Sequence, residues 1–67
     1  MPIITAQIVS GRTAEQKRNL MAELADAAIR TLGVPEQSVR VIVMEVPPEH
    51  WGIGKSTKAE KDGKIER

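Results

Sequence analysis

The chain has no cysteine, phenylalanine or tyrosine, and only one tryptophan, Trp51, and one histidine, His50. Without cysteine there is no disulfide, no thiolate metal site and no thiol nucleophile. A single histidine gives no basis for a histidine-rich metal site, and no metal or cofactor is expected. Charge of one sign is also missing. Ten Lys+Arg stand against nine Asp+Glu, a formal net charge of +1, without the basic excess of a dedicated nucleic-acid binder. Base stacking would rest on Trp51 alone. No apolar run approaches the roughly 20 residues of a membrane span, and no signal-peptide pattern is present. The expectation is a cytoplasmic protein with neither nucleic-acid nor membrane partners. The 67 residues form one domain, 1–67, and a domain of about this size buries only about 60% of its unfolded surface. With disulfides and metals excluded, partner subunits are the remaining support.

What is present is well patterned. Ile3 to Val9 alternates, with Ile4, Ala6 and Ile8 on one face and Thr5 and Gln7 on the other, which predicts a half-buried strand. Ser10-Gly11-Arg12 breaks it. Thr13-Ala14-Glu15-Gln16 fits a capping box and opens a helix predicted over Ala14 to Leu32. Leu20, Leu24 and Ala28, widened by Met21, Ala25, Ile29 and Leu32, form its apolar face. Lys17, Arg18, Glu23, Asp26 and Arg30 are assigned to the remaining surface, and Gly33 and Pro35 supply the stop. Val39 to Val46 is apolar except at Arg40 and Glu45, the pattern of a strand covered on both faces.

Strand, long helix, strand is a β-α-β unit with parallel strands and a right-handed crossover. Pro47-Pro48 ends the second strand. His50-Trp51-Gly52-Ile53-Gly54 reads as a turn into a short C-terminal hairpin. From Lys55 onward the chain is polar and is expected to be mobile unless a neighbour holds it. The core is thus about 2–54, with a tail over 55–67. The fold class is α/β, a single unit with an exposed sheet face and two open edges, which oligomerisation would complete.

Few residues offer chemistry. Pro2 follows the initiator, and a small second residue permits removal of Met1, leaving a free prolyl amine. Retained Met1 would instead make the Pro2 nitrogen an amide with no basic lone pair, and a proline at this position is often without any role. Arg12 lies in a loop, where arginine is ordinarily solvated. Arg40 interrupts an apolar strand, and a guanidinium there requires a partner. That partner is either an acid, Glu45 or one from another subunit, or a bound carboxylate, which the planar fork matches in bidentate fashion. Trp51 suits a core or interface anchor, and His50 a surface turn. Glu45 and Glu49 are close enough in sequence to pair, with nothing further to support it. Gly52-Ile53-Gly54 lacks the strand-turn-helix context and following Lys-Ser/Thr of a phosphate loop.

Pro2, Gly11-Arg12, Glu15-Gln16-Lys17, Ser38-Val39-Arg40-Val41 and His50-Trp51-Gly52-Ile53-Gly54, in this order and spacing over residues 2 to 54, resemble the 4-oxalocrotonate tautomerase (2-hydroxymuconate tautomerase) family of the tautomerase superfamily. The resemblance implies a tautomerase fold assembled as a homo-hexamer, a trimer of dimers, with sites at subunit boundaries and no cofactor. It implies a dicarboxylate substrate, 2-hydroxymuconate, ketonised to 2-oxo-3-hexenedioate in aromatic meta-cleavage. Pro2 would be the general base. Arg40 would bind one carboxylate and the 2-oxo/hydroxy end, and Arg12 of another subunit the distal carboxylate. Ser38 and the Val9 backbone would line the site.

Physical chemistry agrees with these roles. An α-amino group titrates near about 7.7–8.0 in model peptides. Burial and neighbouring guanidinium groups both disfavour its charged form, so a prolyl amine in such a site is available as a base near neutral pH. An apolar wall at Trp51 would help exclude water. The family usually carries phenylalanine there, and its basic carboxyl end does not align with this tail, so Lys61 and Arg67 receive no role. The same proline serves decarboxylases, dehalogenase-type hydratases and tautomerases of secondary metabolism in related proteins. An oligomeric binding protein without catalysis is the alternative from another class, and it would tolerate Pro2→Ala.

Overall fold

The computed structural model describes residues 1–63, and in it the alternating segment Ile3–Val9 is strand β1. Ile4, Ala6 and Ile8 are half-buried and Ile3, Thr5 and Gln7 exposed, the two-residue period of a strand with one covered face. Helix α1 spans Ala14–Leu32. At its start the Gln16 amide donates to Thr13 Oγ1 at 3.1 Å and the Thr13 amide to Gln16 Oε1 at 2.9 Å. Both halves of the capping box are therefore made. At its end Gly33, at φ 68°, donates its amide to the Ile29 carbonyl. A side chain in that left-handed conformation costs about 1–2 kcal/mol.

A 3-10 turn, Glu36–Ser38, precedes strand β2, Arg40–Val46. The strand starts one residue later than the apolar run because the Val39 amide closes the turn on the Glu36 carbonyl. β1 and β2 pair in parallel, from Ile3 opposite Arg40 to Val9 opposite Val46. The Arg40 amide to the Pro2 carbonyl (3.0 Å) and the Ser10 amide to the Val46 carbonyl (2.9 Å) finish the ladder at its two ends. This register sorts the faces. Ile4, Ala6 and Ile8 lie beside Val41, Val43 and Glu45 on one face, which α1 covers through β2. Ile3, Thr5 and Gln7 lie beside Arg40, Ile42 and Met44 on the other.

That second face has no cover among the described residues. Ile3 is 64% exposed and Ile42 and Met44 about half exposed, while only Ala28 and Ala59 are buried among the described residues. The continuous apolarity of β2 predicts cover on both faces, and one chain supplies it on one. The radius of gyration is 15.5 Å, against about 11 Å for a compact domain of this length.

The C-terminal region corrects the expectation of a mobile tail. A 3-10 turn, Pro48–His50, leads to the antiparallel pair β3 (Gly52–Ile53) and β4 (Ser56–Thr57) and then to a short helix α2, Lys58–Lys61. The hairpin is as the sequence predicts. α2 is ordered by a second capping box: the Glu60 amide donates to Thr57 Oγ1 at 3.1 Å and the Thr57 amide to Glu60 Oε1 at 2.9 Å. The Lys58 amide reaches back to the Trp51 carbonyl at 2.8 Å. α2 packs on the Pro48–His50 turn, and Ala59 is 1% exposed. Residues 56–61 thus form regular elements, and the expectation for 64–67 lies outside the described residues. No helix among the described residues is long and apolar enough to cross a membrane.

Candidate active site

Three of the residues singled out in the sequence meet at the start of the parallel sheet. Pro2 is half-buried, and its carbonyl accepts the Arg40 amide. Arg40 is the first residue of β2. Its guanidinium donates from Nη1 to the carbonyls of Gln37 and Val39. Ser38 ends the intervening turn, and its hydroxyl donates to the Pro35 carbonyl at 2.8 Å. Carbonyl partners orient a guanidinium without cancelling its charge, so Arg40 keeps its formal charge for an anion.

An ion pair between Arg40 and Glu45 is not formed. The two residues are an odd number of positions apart on one strand, so they face opposite sides of the sheet. Glu45 Oε1 instead takes Lys17 Nζ at 2.9 Å, joining β2 to the first turns of α1. Glu49 takes no part in that pair. Lys17, assigned in the sequence to the solvated surface, is half-buried. A readable signal was its spacing, three residues before Leu20 and four before Met21, which places it in line with the apolar stripe.

Arg12 stands at the other end of β1. It is exposed, and no hydrogen bond or ion pair engages it among the described residues. With Ile8, Gln16, Lys17 and Leu20 it lines an open groove of about 220 Å³. Gln16 and Lys17 are committed to Thr13 and Glu45, which leaves Arg12 as the unpaired cation of the groove. Val9 is the last residue of β1, near this end. Trp51 is half-buried at the close of the Pro48–His50 turn and does not line the groove.

β1, seven residues long and so about 20 Å at the rise of an extended strand, lies between Pro2 and Arg12. One chain therefore brings Pro2, Ser38 and Arg40 together and holds Arg12 apart. The chain offers one arginine beside its amino terminus and another over a groove floored by Ile8 and Leu20. Each is suited to a carboxylate, the second to one carried on a short apolar stem.

A small β-α-β unit of this construction is the fold of a class of keto–enol isomerases. The sequence profile described as tautomerase enzyme matches residues 2–60, and the chain belongs to the tautomerase family. It is 51% identical over 53 residues to the probable tautomerase RSp0893 of Ralstonia nicotianae, covering 79% of this chain and 76% of that one. It is 48% identical over 60 residues to a 2-hydroxymuconate tautomerase of Stutzerimonas stutzeri, covering 88% and 95%. Among solved structures it resembles TomN, a 4-oxalocrotonate tautomerase homologue of the tomaymycin biosynthetic pathway, with a TM-score of 0.90, 40% identity and coverage of 92% and 95%. The chain is an isomerase of the 4-oxalocrotonate tautomerase type, with tautomerase activity.

Proposed function

We propose that the chain ketonises 2-hydroxymuconate or a closely similar dienol dicarboxylate, with the Pro2 amine as general base after loss of Met1. The observation that carries this reading is the hydrogen bond between the Pro2 carbonyl and the Arg40 amide, which holds Pro2 beside the residue that bears the guanidinium. Met1 is 79% exposed and open to an aminopeptidase. The neutral prolyl nitrogen takes the 2-hydroxyl proton, the electron pair moves through the diene, and the same proton is delivered to C5 to give 2-oxo-3-hexenedioate. No atom is gained or lost. Arg40 binds the carboxylate and oxygen at the 2-position, and Arg12 holds the distal carboxylate and draws charge toward it. Val9 and Trp51 line the site, Ser38 stands at its edge in the turn before Arg40, and Trp51 limits water.

The 20 Å scale of β1 requires that Pro2 and Arg12 of one site come from different subunits. The uncovered face carrying Ile3, Ile42 and Met44 supplies the surface for such an assembly, and the reading adopts the homo-hexamer, a trimer of dimers, of the family. A cytoplasmic enzyme of aromatic catabolism follows from that substrate. Similarity to TomN, with tryptophan at position 51, favours a second reading: the same base acting on another diacid in a biosynthetic pathway.

Ultraviolet kinetics with 2-hydroxymuconate, on protein whose intact mass shows loss of Met1, tests the proposal. Wild type should ketonise it rapidly, and Pro2→Ala should lose about 10²–10⁴-fold, the usual contribution of a general base. Activity should also fall as pH is lowered, because the prolyl ammonium has no lone pair. Slow turnover by correctly processed, assembled protein would reject 2-hydroxymuconate as substrate and leave the second reading.

A further inference from the structure

We infer that Ser38 is a positioning residue that acts on substrate through Arg40, by way of the turn between α1 and β2. This rests on the proposed role of Arg40 as a carboxylate ligand. The path is short, with hydrogen bonds at each end joined by the backbone of one turn. The Ser38 hydroxyl and the Ser38 amide both donate to the Pro35 carbonyl, at 2.8 and 3.0 Å. The Val39 amide closes on the Glu36 carbonyl at 3.2 Å. The carbonyls so arranged, those of Gln37 and Val39, are the acceptors of Arg40 Nη1. The same residue's backbone amide is bonded to the Pro2 carbonyl.

Arg40 is therefore tied at both ends, its amide to Pro2 and its guanidinium to the turn. The side chain is solvent-exposed, so no packed core holds it. A long exposed arginine loses considerable rotamer freedom on being ordered, and carbonyl acceptors presented by a closed turn reduce the part of that loss left to substrate binding. An acidic partner would orient the guanidinium equally well but would compete for its charge. Ser38 donates its single hydroxyl proton to Pro35, which leaves its oxygen only as an acceptor. The carboxylates of the substrate are acceptors too, so the hydroxyl in this arrangement has nothing to give them. Its effect passes through the turn.

A double-mutant cycle separates this role from direct contact. Ser38→Ala should raise KM for 2-hydroxymuconate by about 3- to 10-fold, the range of one lost hydrogen bond, with kcat changed less. Ser38→Thr, which retains the hydroxyl, should restore KM. In an Arg40→Ala background Ser38→Ala should have no further effect. If the two losses multiply, Ser38 touches substrate itself and the inference is wrong. If Arg40→Ala leaves KM and kcat unchanged, the assignment of Arg40 fails, and the inference with it.

A second measurement needs no substrate. Nitrogen relaxation of the Arg40 Nε–H should show a more mobile guanidinium in Ser38→Ala and a wild-type one in Ser38→Thr, at unchanged oligomeric mass. Equal mobility in wild type and Ser38→Ala would overturn the inference whatever the substrate.

Discussion

Single residues carry the parts of this structure that were easiest and hardest to read. Thr13 with Gln16, and Gly33 with its left-handed backbone, were legible because a cap is a local event decided within four residues. The partner of Arg40 was not, because proximity along the chain suggested Glu45 whereas the odd spacing separates the two across the sheet. Strand parity was available in the sequence and would have excluded that pair. The identity of Glu45's partner, Lys17, needed the packing of α1 on β2. Both side chains of this pair remain about a quarter to a third exposed, at 27% and 34%, so its strength is that of a surface ion pair. Lys17→Met should lower stability by about 0.2–1 kcal/mol at low salt, and by less at high salt. Thermal unfolding at one fixed protein concentration checks this, and a loss unchanged by salt would assign Lys17 a packing role instead.

Among the elements, β1 and α1 have the boundaries that periodicity and caps predict, and β2 differs by one residue. A short C-terminal hairpin was also foreseen, though its second strand, Ser56–Thr57, falls in the segment read as tail. The region from Lys55 was read as a mobile tail because its composition is polar, yet Thr57-x-x-Glu60 repeats the capping logic that was recognised at Thr13-x-x-Gln16. Polarity describes the solvent-facing side of α2, and one small residue, Ala59, is enough to seat the other side on the Pro48–His50 turn. A four-residue helix has little intrinsic stability, so its cap should matter. Thr57→Ala should cost about 1 kcal/mol, within the usual 0.5–2 kcal/mol for a lost N-cap. The amides of residues 58–61 should then exchange with solvent faster while those of α1 keep their protection. Unchanged exchange across α2 would mean that contacts other than the cap hold it.

For the whole molecule, composition alone called for partner subunits, and the fold states the same need geometrically. Among the described residues the two-stranded sheet has both edges open and one apolar face bare, and no large side chain is fully buried. On the proposed roles of Pro2 and Arg12, their separation along β1 adds a functional reason, since one chain would hold them too far apart for one small diacid. Hydrophobic pattern announces that a face must be covered, but the symmetry of the cover is set by surfaces that meet only in the assembly. Six copies of a 7.4 kDa chain predict a solution mass of about 44 kDa, and sedimentation that gives a monomer would remove the basis for a shared site.

The most direct test is complementation between two inactive variants. Pro2→Ala and Arg12→Ala proteins, dissociated together in equal amounts and reassembled, should regain ketonisation of 2-hydroxymuconate at about a quarter of the sites, because each site draws its Pro2 and its Arg12 independently from mixed subunits. Mass spectrometry of the intact assembly would verify that hybrids formed. Recovery to that level supports a site built across subunits with Pro2 and Arg12 as partners. Verified hybrids with no activity above either parent would contradict it.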